Sequence, residues 1–145
     1  AGGWGRGRSV ITRPELIIDG TRVWSLETFW DEVGRSLIPG VKWGRNLDAF
    51  NDILRGGFGT PASGFILRWT EAETSRAFLG YSETIRQLEK RADECHPDNI
   101  FSVAAEIEQA RQGRGPTVFD WLVEIIREHG EGGEEAESNV QLVLD

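Results

Sequence analysis

A chain of 145 residues with 39% hydrophobic side chains and six Trp is long enough for one domain with its own core, burying roughly 68 to 70% of its unfolded surface. Asp and Glu number 24 against 16 Lys and Arg, so a formal charge of −8 and a pI near 4.8 exclude nucleic acid as a direct ligand. No apolar run approaches the ~20 residues that span a bilayer, and a single cysteine, Cys95, leaves no internal disulfide or metal cluster and points to a reducing cytoplasm.

Residues 1–13 carry Arg6, Arg8 and Arg13 among glycines without periodicity and read as a flexible basic leader to a single domain over 14–145; the absence of Met predicts a trimmed start. Leu16, Ile17 and Ile18 form an apolar run between Pro14 and Asp19-Gly20, the pattern of a strand buried on both faces. Ser25 is placed to cap a helix in which Leu26, Phe29, Trp30, Val33 and Leu37 trace one stripe until Pro39-Gly40 ends it.

Next comes Lys42-Trp43-Gly44-Arg45-Asn46-Leu47-Asp48-Ala49-Phe50-Asn51-Asp52-Ile53-Leu54. Gly44 lets the chain bend, and Asn46 is an N-cap whose side-chain oxygen can accept a first-turn N–H, so a helix starts at Leu47. Leu47, Phe50, Ile53 and Leu54 recur on one apolar face, which leaves Asp48, Asn51, Asp52 and Arg55 pointing elsewhere. Asp48 and Asp52 stand at i and i+4, a like-charged pair that weakens an isolated helix. The helix dipole favours Asp48 but leaves Asp52 without a local reason, and a solvated surface is the plain alternative for both.

Gly56-Gly57-Phe58-Gly59-Thr60-Pro61 is a loop, and Phe65 to Trp69 a second strand. Three helical segments follow: Glu71–Leu79 capped by Thr70, Glu83–Glu94 capped by Ser82 and closed by His96-Pro97, and about Ser102–Gln112. After Gly113-Arg114-Gly115, Pro116 suits the first turn of a fourth, with Phe119, Leu122, Val123 and Ile126 on one face until Gly130. Residues 131–138 hold four acids and no base and read as a mobile acidic loop before a last strand, Val140 to Leu144. Strands separated by helices make the chain α/β with a parallel sheet.

The run Trp43-Gly44-Arg45-Asn46-Leu47-Asp48-Ala49-Phe50-Asn51-Asp52 resembles the aromatic-Gly-x-Asn-Leu-Asp-Ala-x-x-Asp signature of the barstar family, intracellular inhibitors of secreted guanyl-specific ribonucleases. Glu15 to Gly20, Phe65 to Thr70 and Val140 to Leu144 resemble that family's three strands, while 82–115 has no counterpart and reads as a helical insertion before the last strand. The resemblance implies a small three-stranded parallel sheet with helices packed against it, no catalytic residues and no cofactor. It also implies a partner, a secreted guanyl-specific ribonuclease or nuclease-toxin domain with a basic active site. Asp52 falls on the family's acid that enters the enzyme's phosphate site and Asp48 on a flanking acid. Trp43 and Gly44 fall on the contact loop and Gly56 on the glycine after the helix; the family's last-helix glutamate is Glu128 on one alignment and Glu124 on another.

Within that contact surface, Lys42 stands where the family's best-known member has an aromatic, Arg45 replaces an acid and Asn51 replaces a Trp, so charge steering is weaker and the partner differs. Trp43 is equally readable as a cover over the core edge. Two other functions compete: a Mg²⁺-dependent phosphohydrolase using Asp48, Asp52 and a distal Glu, and an interaction module with a non-nuclease partner. No Gly-rich phosphate cradle follows a strand, and neither His96 nor His129 has a catalytic companion in the sequence.

Overall fold

Three strands, β1 (Glu15–Asp19), β2 (Phe65–Thr70) and β3 (Val140–Leu144), pair in parallel in the order β1-β2-β3 in the computed structural model, which describes residues 13–145. Six helices are present among these residues: α1 (Leu26–Ser36), α2 (Leu47–Leu54), α3 (Ala72–Phe78), α4 (Tyr81–Glu94), α5 (Ile100–Arg111) and α6 (Val118–Glu128). The chain steps across the sheet in one direction, so right-handed crossovers place every connection on the same face.

That topology corrects the expectation that the first strand is buried on both faces. The register sets Leu16, Leu67 and Leu142 in one row and Ile18, Trp69 and Leu144 in the next, and these rows join the core. Ile17 lies in the alternate row with Arg68 and Val143, and is 43% exposed. On this open face Arg68 bridges the sheet edges, from Nη1 to Asp145 (2.6 Å) and from Nη2 to Glu15 (3.2 Å).

The apolar stripe of α1 is buried as its spacing requires, with Phe29 against Phe50 and Trp69 at the centre of an aromatic core. Ser25 and Thr28 close a capping box at its start. Three other helix starts differ from expectation. Thr70 ends β2 rather than capping α3, because Glu71 turns left-handed (φ 50°) and redirects the chain. Gly80, not Ser82, precedes α4, and α6 begins after Thr117, whose capping box with Asp120 displaces the helix start past Pro116. Residues 1–12 of the expected leader lie outside the described residues. Arg13, its last residue, belongs to the fold: it donates to the Asn139 carbonyl (3.0 Å), to Asn139 Oδ1 (2.9 Å) and to Gln141 Oε1 (2.9 Å).

The stretch 82–115 forms the hairpin of α4 and α5, with a core of its own around Leu88, Val103, Ile107 and Ala110, against which the free thiol residue Cys95 packs. One buried carboxylate fastens it to α1: Glu83 accepts the Leu26 N–H at 2.8 Å and is held by Arg86 and Gln87. Glu27 reaches back to Arg86, Gln87 and Lys90. Burial alone would raise both carboxyl pKa values, but the bonds from Lys90, Gln87 and Arg86 on Glu27, and from Arg86, the Leu26 N–H and Gln87 on Glu83, outweigh it and hold both below the ordinary range.

The unfolded chain therefore binds protons more readily at these two sites, and the stability they confer, fully present above the ordinary glutamate pKa of about 4.3, is lost as the pH falls below it. Urea unfolding should show this decline, and Glu83→Ala, which orphans the Leu26 N–H, should cost about 1–3 kcal/mol at neutral pH and flatten the acid limb.

Candidate functional site

The loop before α2 is tied to α1 at two points. Trp43 packs edge-to-face on Trp30 (5.5 Å between centroids, 87°) and is half-buried, so the core-cover reading accounts for its ring. Arg45 folds back to Asp31 at 2.8 Å, which takes its guanidinium toward α1. The left-handed residue in the loop is Arg45 (φ 52°), not Gly44 as the bend suggested; a Cβ on Gly44 would sit 3.1 Å from Asn46 Nδ2 and 3.3 Å from Ala49 Cβ, a tight fit against the helix cap. Lys42 is exposed beside this loop.

Helix α2 starts at Leu47 as expected, with Asn46 Oδ1 accepting the Ala49 N–H at 2.8 Å. Phe50, Ile53 and Leu54 are buried, which leaves Asp48 and Asp52 on the exposed side. The far end is closed by a Schellman motif: Gly56 N–H donates to Ile53 O and Gly57 N–H to Asp52 O, both at 3.0 Å. Gly56 holds φ +96°, a conformation that strains any L side chain, and a Cβ on it would also crowd Ala62 Cα at 3.1 Å.

Asn51 departs from its expected place among the wet residues. It is half-buried, and its Oδ1 meets His129 Nε2 at 2.6 Å, while Nδ2 points to Glu135 Oε2 at 3.4 Å. With the amide turned that way, His129 donates from Nε2 and accepts the Ser138 hydroxyl at Nδ1 (2.9 Å). The acidic stretch 131–138 is thereby joined to α2. Glu135 also grips Arg55 in a two-bond fork, Nε to Oε1 at 2.5 Å and Nη2 to Oε2 at 2.8 Å, and Arg55 extends Nη1 to Asp52 Oδ1 at 2.6 Å. This paired Glu135 carboxyl is held below the ordinary range, chiefly by the Arg55 hydrogen bonds.

Reasoning from sequence missed the parts played by Asp31, His129, Glu135 and Ser138, whose partners, Arg45 for Asp31, Asn51 for His129, Arg55 for Glu135 and His129 for Ser138, only the fold supplies. The two candidate glutamates of α6 differ: Glu124 is exposed, whereas Glu128 is half-buried and accepts the Glu134 N–H at 3.3 Å. Among the described residues no three of His, Cys, Asp and Glu gather at metal-binding distance, so Asp48 and Asp52 have no third ligand there. No helix of the described residues is long and apolar enough to cross a membrane.

The protein is α/β, with a three-stranded parallel sheet and two exposed aspartates on a short capped helix. The chain belongs to the barstar family: the family model for barstar, the barnase inhibitor, matches residues 13–100. That span takes in β1, β2 and the four helices α1 to α4, including the helix that carries Asp48 and Asp52, and stops at the first residue of α5, leaving α6 and β3 outside it. No curated protein matches the chain.

Burial is the largest influence on His129 and lowers its pKa, against the pull of Glu135. Unfolded, the imidazole takes its proton near pH 6.5; folded, it does so only at lower pH, so stability is lost as the pH falls from about 6.5. Denaturant titrations at pH 7.5 and 5.5 should show that loss, and His129→Gln should remove it.

Proposed function

We propose that this protein inhibits a ribonuclease by seating α2 in the enzyme's substrate groove, Asp52 taking the place of the RNA phosphate and Asp48 flanking it. The observation that carries the reading is that both aspartates are exposed on a helix fixed at each end, by Asn46 and by the Gly56-Gly57 motif. An enzyme that cleaves RNA must collect Arg, Lys and His side chains around the scissile phosphate, and such a cluster is costly to leave unpaired in an interface. A carboxylate offered on a rigid helix meets guanidinium groups with short, charge-assisted bonds and little ordering cost on its own side.

The other candidate residues take graded parts. Gly56 shapes the end of the helix and Gly44 the approach to it; Trp43 supports the loop from below, and Lys42 edges the surface. Asn51 faces inward and supports α2 through His129. Glu128 and Glu124, both on α6, are proposed as second-rank contacts. Arg45 and Lys42 reduce the acidity of the approach, so association should be less steeply salt-dependent than that of a fully acidic face. The partner proposed is a secreted guanyl-specific ribonuclease or a nuclease-toxin domain, and the site of action the cytoplasm of the producing cell, as an immunity protein. Of the hairpin over 82–115, the part beyond residue 100, which holds nearly all of α5, is proposed as an addition to the family's core, since α4 falls within the matched span. The hairpin borders Asp48 across a groove of about 560 Å³ lined in part by Glu27, Arg45, Lys90, Glu94 and Trp121.

The test is inhibition of barnase and other secreted guanyl-specific ribonucleases in an RNA-cleavage assay, with affinity by calorimetry. Asp52→Ala should weaken the complex by well over ~2 kcal/mol and leave the unfolding midpoint nearly unchanged. Full inhibition by the Asp52→Ala protein would remove Asp52 from the centre of the interface.

A further inference from the structure

Asp52 is not a bare carboxylate. It is 53% exposed, yet its Oδ1 already carries the Arg55 guanidinium at 2.6 Å. Arg55 does not depend on Asp52 for its position, because Glu135 takes its Nε and Nη2 edge in a fork. Glu135 is itself fixed: its N–H donates to the Glu128 carbonyl at 2.8 Å, and Asn51 Nδ2 reaches its carboxylate at 3.4 Å. If Asp52 turned its oxygens to a partner, Arg55 would stay where it is, one positive charge beside the contact.

We infer that Arg55 is the specificity-determining residue of this face, a guanidinium seated in advance on the aspartate that a partner's cation must engage; this rests on the reading of Asp52 given above. An incoming cation is repelled by Arg55 and finds Oδ1 occupied, so it has to win Asp52 by geometry as well as charge. A guanidinium, with two parallel N–H groups, can claim both carboxylate oxygens, whereas an ammonium makes a point contact. Arg55 therefore admits partners whose phosphate site is built on arginine and discriminates against those that offer lysine, a repulsive element that sharpens choice at some cost in affinity.

The experiment is a binding comparison with barnase as the probe, using the full chain and its Arg55→Gln variant, together with a barnase variant in which one phosphate-site arginine is changed to lysine. Arg55→Gln should tighten binding to unmodified barnase about two- to fivefold, the range of an exposed ion pair. The gain should vanish in an Asp52→Asn background, and the arginine-to-lysine change in barnase should weaken the complex less with Arg55→Gln than with the parent chain. Arg55→Met should repeat the gain, which separates loss of charge from any new bond made by glutamine.

Unchanged or weaker binding by both Arg55 variants, or a gain that persists without the Asp52 charge, would overturn the inference. In that event a loss on Asp52→Ala would leave the inhibitor reading intact. A parent chain that fails to bind barnase and every other guanyl-specific ribonuclease tried would defeat that reading, and this inference with it.

Discussion

Everything proposed for this protein depends on the rigidity of one helix. Eight residues are too few to hold helical geometry in water unaided, since the nucleation cost is repaid only over a longer run. Helix α2 persists because Phe50, Ile53 and Leu54 are locked into the aromatic core, because Asn46 satisfies a first-turn N–H, and because Gly56 and Gly57 close the last turn. A carboxylate on such a helix has little conformational freedom left to lose on docking, which is the physical advantage of a helix over a loop for imitating an anion.

The helix is also braced from the side. His129 lies fully buried at the end of α6 and reaches Asn51 on α2 with one ring nitrogen and Ser138, just before β3, with the other. Glu135 adds the ion pair with Arg55 on the solvent side of the same junction. The C-terminal segments that complete the sheet thus also set the position of α2, and the charges on its outer face belong to one connected group: Asp52, Arg55, Glu135.

What local pattern determines could be read in the residues. The N-cap at Asn46, the start at Leu47, the apolar face of α2 and the strands at Phe65 and Val140 all follow from neighbours within a few positions, and the structure places them there. The errors have equally definite causes. Leu16-Ile17-Ile18 looks buried on both faces because three apolar residues in a row carry no sign of the open face that an in-order parallel sheet leaves. Asn51 looks solvated because its partner, His129, is 78 residues away. Glu135 looks like one acid among several in a glycine-rich stretch, and only the fold shows that it faces Arg55, 80 residues earlier. Glu71 and Arg45 adopt left-handed turns with no glycine to announce them.

The fold leaves Asp52 on an outward surface, and the central proposal is that this surface occupies the position of the RNA phosphate. The most direct measurement is competition on the enzyme: binding of this protein to a guanyl-specific ribonuclease titrated against guanosine 3′-phosphate. If Asp52 stands where the nucleotide's phosphate stands, the apparent dissociation constant rises linearly with nucleotide concentration and does not level off as the enzyme saturates. A dissociation constant that stays level as the nucleotide saturates the enzyme would show that the two bind at separate places and would contradict the account.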